Sequence, residues 1–129
     1  MLWYIAFGSA LGGVSRFLAG GVVQRLTGAA FPTGTLLVNV TGSFMLGLFL
    51  RYGLETPALS PELRAGLTIG FCGGYTTFST FSYETVAMLD DGEWGRALLY
   101  VGLSLVLSVA ATMLGLFAAR GLIVPPEGP

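Results

Sequence analysis

Four long apolar runs, separated by three short polar breaks, make up this chain. A helix needs about 20 apolar residues to cross the hydrocarbon of a bilayer. Residues 2–26, 33–54, 62–89 and 94–122 each reach that length. The breaks read "TGAAFP", "ETPALSP" and "DDGEW", and each carries the Pro, Gly or acidic residues of a stop and turn. The tail "VPPEGP" is proline-rich and expected to fray, and no stretch leaves room for a second domain. The pattern predicts an all-α membrane protein with a single four-helix transmembrane domain over residues 1–129. Trp3, Tyr52 and Trp94 fall near the ends of runs, where amphipathic rings settle at the membrane–water interface.

Composition agrees with that reading. Hydrophobic residues are 53% of the chain and charged residues 10%, whereas a soluble domain is about 25% charged. Mean hydropathy is +0.77. The N-terminal "MLWYIAFGSALGG" has no positive leading region, so it reads as the first spanning helix rather than a cleaved signal. One cysteine, Cys72, precludes an internal disulfide; without histidine or a CxxC, most zinc, haem and histidine-based catalytic designs are excluded. The net charge of −1 provides no basic patch for nucleic acid. Neither an activated nucleophile nor an acid–base pair is visible, so an enzyme is not expected.

Four crossings would put Arg51, Arg64 and Arg120 on one side and Arg25 and Arg96 on the other, with Arg16 deeper in the first run. Lys/Arg asymmetry normally sets orientation, and here there is almost none. Either a weak bias suffices, or the chain inserts both ways and forms an antiparallel homodimer. Four helices are few to enclose a polar path, which also favours a dimer. Gly8/Gly12, Gly66/Gly70, Gly70/Gly74 and Ser43/Gly47 have the small-xxx-small spacing that lets membrane helices approach closely.

Polar residues are not scattered. Thr35, Asn39, Ser43 and Gly47 recur every four residues on the second run, and Tyr100, Ser104, Ser108 and Thr112 do so on the fourth. Four-residue steps drift only about 40° around a helix, so each set shares one face. Singly, such hydroxyls serve as interhelical glue; two aligned stripes point to a polar pathway. A mid-membrane amide such as Asn39 is costly unless satisfied, and its two donors suit an anion. Glu84 and Arg16 are ionisable groups inside spans, which is a functional signal by default; snorkelling to the headgroups is the alternative.

The third run contains "GFCGGYTTFSTFSYE", residues 70–84. Gly73 and Gly74 each weaken a helix by about 1 kcal/mol relative to alanine, and the Thr/Ser run offers the backbone competing hydrogen bonds. A helix break at mid-membrane is the expectation. Non-helical backbone survives there only when buried in protein or lining a cavity. The freed carbonyls can hold a cation, two from each chain of an antiparallel pair. Phe78 and Phe81 lie one turn apart just past the break, and phenyl ring edges are electropositive. Ordinary apolar packing is the alternative for that pair.

Three motifs carry a family likeness: Gly70–Phe81 with its GGxTTFSTF core, "GTLLVNVTGSFMLG" at 34–47, and "GGVSRF" at 12–17. Together they resemble the fluoride channels of the CrcB (Fluc) family over essentially the whole chain. The resemblance implies a dual-topology antiparallel homodimer with two fluoride pores and a central structural sodium ion, in a prokaryotic inner membrane. It assigns the backbone carbonyls of Gly73 and Thr76 to sodium, and the ring edges of Phe78 and Phe81 to fluoride. Asn39 becomes the pore amide, Tyr100, Ser104 and Ser108 the polar track, Glu84 the carboxylate near a pore end, and Arg16 a vestibule arginine. The implied activity is passive fluoride export. A proton-coupled small dual-topology exporter is the alternative, but such exporters depend on a glutamate in the first helix, and none stands there.

Overall fold

The computed structural model describes residues 1–28 and 30–123; the proline-rich tail lies outside them. The described residues form an all-α fold. Helix α1 spans Leu2–Thr27 and α2 spans Thr33–Glu55. The third run is composite: α3, Pro61–Ala65, continues through a π-helical segment, Gly66–Cys72, into α4, Gly73–Tyr75. After two extended residues the chain re-enters a helix as α5, Phe78–Asp90. Helix α6, Trp94–Leu122, completes the fold. Helices α1, α2 and α6 are each long and apolar enough to cross a membrane, and the protein is a multi-pass membrane protein.

Local chemistry accounts for the ends. Gly28 closes α1 in the left-handed region at φ 56°, where a side chain would be strained. Ser60 accepts a hydrogen bond from the Leu63 N–H, and Pro61 occupies the first turn of α3, where its missing N–H costs nothing. The α1–α2 turn is tied by Gln24, whose Nε2 donates to the Phe31 carbonyl while its Oε1 accepts from the Gly34 N–H, one of the orphan donors of the α2 N-terminus.

Close backbone approach holds the bundle. A Cβ at Gly8 would overlap the Gly66 carbonyl and one at Gly12 the Phe71 carbonyl, so α1 lies directly on the 61–75 rod. From the rod's side, Gly66, Gly70 and Gly74 face α1 at Tyr4, Ile5 and Ser9. The most extensive contact is between α2 and α6; there Gly47 meets the Thr112 carbonyl and Gly115 the Phe44 carbonyl. Outer faces are apolar: Phe7, Leu11, Val14, Val106, Met113 and Phe117 are exposed.

The break falls where expected, just before Phe78, and within that stretch at the threonines rather than the glycines. Gly73 and Gly74 are both helical; the interruption falls at Thr76 (φ −87°, ψ 156°) and Thr77 (φ −149°, ψ 116°). Gly74 is needed for contact, since a Cβ there would lie 2.6 Å from the Ser9 carbonyl oxygen. The hydroxyls support the break: Thr76 Oγ1 joins its own N–H on the Cys72 carbonyl at 2.9 Å, ending the rod, and Thr77 Oγ1 caps α5 by accepting from the Thr80 N–H at 3.2 Å.

Candidate functional site

Two clefts flank the break, and Thr77 lines both. The first, about 420 Å³, lies between α1, α2 and α5 and is walled by Arg16, Gln24, Thr35, Thr77, Thr80 and Glu84. The second, about 310 Å³, is bounded by α2, the rod, α5 and α6. It collects most of the residues singled out in the sequence: Asn39, Gly73, Thr76, Phe78, Phe81, Ser104 and Ser108. Arg16 and Glu84 face the first cleft instead. Tyr100 lines neither; it is fully buried behind Phe81.

Each group has a definite partner or a definite lack of one. Asn39 Nδ2 donates to the Thr77 carbonyl at 3.1 Å, and its Oδ1 accepts from the Thr77 N–H at 2.8 Å. One of the two amide protons is thus taken by backbone, and the second is left for the cleft. Arg16 Nε donates to the Gly74 carbonyl at 3.3 Å, placing a cation against the C-terminal end of the rod. The Thr35 hydroxyl donates to Glu84 Oε1 at 2.5 Å, linking α2 to α5.

The rings form a connected row. Phe78 and Phe81 have centroids 5.6 Å apart, Phe81 and Tyr100 5.1 Å, and Phe31 meets Tyr100 edge-on at 5.5 Å. Phe81 is half-buried, whereas Phe78 is 77% exposed, presented outward from the first position of α5.

Two hydroxyls break the rule that buried polar atoms are paired. Among the described residues, Tyr100 Oη and Ser104 Oγ are buried and have no hydrogen-bond partner. Both lie on the polar face of α6, with Thr35 and Glu84 beside the Tyr100 phenol and Ser104 at the wall of the second cleft. An unpartnered donor at such a wall, as Ser104 is, is equipped to receive an anion or water.

The carbonyls expected to hold a cation pass a first test of fit. In an uninterrupted helix the Gly73 carbonyl would accept from the Thr77 N–H, but that N–H is turned to Asn39. Thr76 is extended, so its carbonyl lies outside any helical ladder. Gly73 is exposed and Thr76 half-buried. Two hard oxygens suit a hard cation and are too few to enclose one alone. Among the described residues no group of three or more His, Cys, Asp or Glu is placed to hold a metal.

Thr35 belongs to the polar stripe of the second run, whereas Thr77 and Thr80 are cleft residues that no sequence pattern singled out. The Thr77-x-x-Thr80 spacing, with an N-cap hydroxyl ahead of a helix, is the signal that could have located the α5 start.

Residues 3–116 match the family model described as CrcB-like protein, Camphor Resistance (CrcB). Among curated relatives, "Fluoride-specific ion channel FluC" of Geobacter sulfurreducens is 53% identical over 118 residues, covering 92% of this chain and 95% of the relative. The protein of the same name from Syntrophotalea carbinolica is 51% identical over 121 residues, 94% and 98% of the two chains. That of Geobacter metallireducens is 50% identical over 118 residues, 92% and 95%.

Proposed function

The chain belongs to the CrcB-like family, and on that premise we propose that it is a fluoride-selective channel, conducting passively and built as an antiparallel, dual-topology homodimer. The observation that carries the reading is the second cleft, where the Asn39 amide, the Phe78 and Phe81 rings and the buried, unpartnered Ser104 hydroxyl meet on one wall. Fluoride is small and strongly hydrated. Moving even a carboxylate-sized ion into a low-dielectric interior costs of order 20 kcal/mol in the idealised limit. A pathway must replace water with donors in series.

The two clefts supply such a series. The first gathers an arginine and several hydroxyls at its wall. The second continues past Thr77 with the remaining Asn39 amide proton, the ring edges of Phe78 and Phe81, and the Ser104 and Ser108 hydroxyls. Donors that are individually weak let the ion leave as well as enter, and a narrow hydroxyl-lined path disfavours the larger chloride. Export follows from acid–base chemistry: HF crosses membranes uncharged and dissociates in a less acidic cytoplasm, and a membrane potential negative inside drives the anion out.

The dimer completes what one chain leaves open. Phe78 is presented outward and Gly73 is exposed beside it; a second copy crossing at the break would cover both. The Gly73 and Thr76 carbonyls of two chains would supply four oxygens to a structural sodium ion, whose charge offsets the crowding of carbonyl dipoles at the crossing.

Efflux from liposomes carrying the purified protein, read with a fluoride electrode beside chloride efflux at the same potential, tests the reading. Fast fluoride efflux without chloride efflux, indifferent to a proton gradient, is the expected result. Flux that requires a proton gradient would replace the channel with a coupled transporter and direct attention to Glu84.

A further inference from the structure

We infer that Asn39 is the positioning residue of the cation cage, acting through the 76–77 peptide; the inference rests on the sodium reading above. Both cage oxygens trace to one hydrogen bond, from the Thr77 N–H to Asn39 Oδ1 at 2.8 Å.

That bond has two consequences. It withdraws the N–H that would otherwise bond the Gly73 carbonyl, and so frees the first oxygen. It also aims the second. In a planar trans peptide the carbonyl of Thr76 points opposite to the N–H of Thr77, and the described residues contain no cis peptide. Anchoring the N–H on α2 therefore turns the Thr76 oxygen away from α2. The second contact, Nδ2 to the Thr77 carbonyl at 3.1 Å, holds the carboxamide against rotation and fixes the peptide on the other side of Thr77.

Arg16 of α1 reaches the Gly74 carbonyl before the break, and the other bonds of Thr76 and Thr77 are local. Thr76 Oγ1 reaches Cys72, and Thr77 Oγ1 reaches Thr80. Asn39 alone among the partners of Thr76 and Thr77 comes from another helix, across 38 positions of sequence. It thus ties the orientation of the break to α2, the same helix that walls the second cleft. Pore wall and cation cage share one side chain.

The test is thermal unfolding of the purified full chain in detergent, with sodium titrated against potassium at constant ionic strength. Wild type should gain stability with sodium in preference to potassium. Asn39→Ala should raise the half-saturating sodium concentration about tenfold or abolish the response. Ser43→Ala, one turn along α2 in the same cleft, should keep the wild-type midpoint. Asn39→Asp retains an acceptor for the Thr77 N–H but loses the donor to the Thr77 carbonyl, so its midpoint should lie between those of wild type and Asn39→Ala. An Asn39→Ala midpoint equal to wild type overturns the inference and leaves the cage standing. Should Asn39→Ala not fold, Asn39→Asp decides, and a midpoint displaced beyond about tenfold overturns the assignment to the acceptor oxygen. Equal melting of wild type in sodium and potassium overturns the cage and this inference together.

Discussion

Phe81 and Tyr100 pack ring against ring, with centroids 5.1 Å apart and planes tilted by 50°. The contact joins α5 to α6 and sets the Phe81 ring against a buried phenol that has no partner at hydrogen-bonding distance. Replacing Phe81 by Ile keeps an apolar side chain of moderate size but removes the ring. Fluoride efflux should fall about tenfold or more, equivalent to ~1.4 kcal/mol on the barrier, while the dimer still elutes as a single species. Unchanged efflux would remove the ring edge from the mechanism.

Tyr100→Phe separates pathway from scaffold. The hydroxyl has no partner at hydrogen-bonding distance, and the Thr35 hydroxyl beside it keeps its own bond to Glu84, so stability should change by less than about 1 kcal/mol. Efflux should nonetheless fall, because the family resemblance assigns this phenol to the polar track, although it lies behind Phe81 rather than on either cleft wall. Melting temperature and efflux measured on the same preparation decide the matter: a destabilised variant with normal efflux would make Tyr100 structural.

Arg16 lies against the end of the rod, donating to the Gly74 carbonyl. Arg16→Ala removes that bond and the favourable charge at a helix C-terminus, and should cost about 1–2 kcal/mol in unfolding. It should also lower efflux, since the first cleft loses its only arginine. Arg16→Lys restores charge without the planar guanidinium, so it should recover efflux more fully than stability. Recovery of stability alone would place Arg16 in the scaffold.

Close packing gives a further prediction. A methyl group at Gly12 would overlap the Phe71 carbonyl, so Gly12→Ala must push α1 off the rod. The expected loss is about 1–3 kcal/mol, the usual cost of overpacking. At Gly21 a Cβ meets nothing within 4 Å, and Gly21→Ala should be neutral or stabilise by up to about 1 kcal/mol. Comparing the two melting temperatures checks whether the GxxxG spacing acts through contact or merely through helix propensity.

Much of this architecture could be read from one dimension. Apolar runs long enough for a bilayer, and the Pro, Gly and acidic residues between them, are local properties that need no partner to be recognised. The third run announced its interruption through its glycines and hydroxyls, and the four-residue spacing of Asn39 and Ser43, and of Ser104 and Ser108, announced faces that the fold turns to one cleft.

Tertiary structure decided where the third helix breaks and what Asn39 holds. Gly73–Gly74 and the threonines after them together marked the stretch; the helix runs through both glycines, and Gly74 is a contact position where α1 packs too closely for any side chain. The chain leaves the helix where the Thr77 N–H can choose between the Gly73 carbonyl, four residues back, and the Asn39 amide, 38 positions away. Propensity sees the first acceptor only. The second exists once α2 lies against the rod, and a competition between a local and a distant hydrogen bond is settled by packing, not by any property of the residues taken in order.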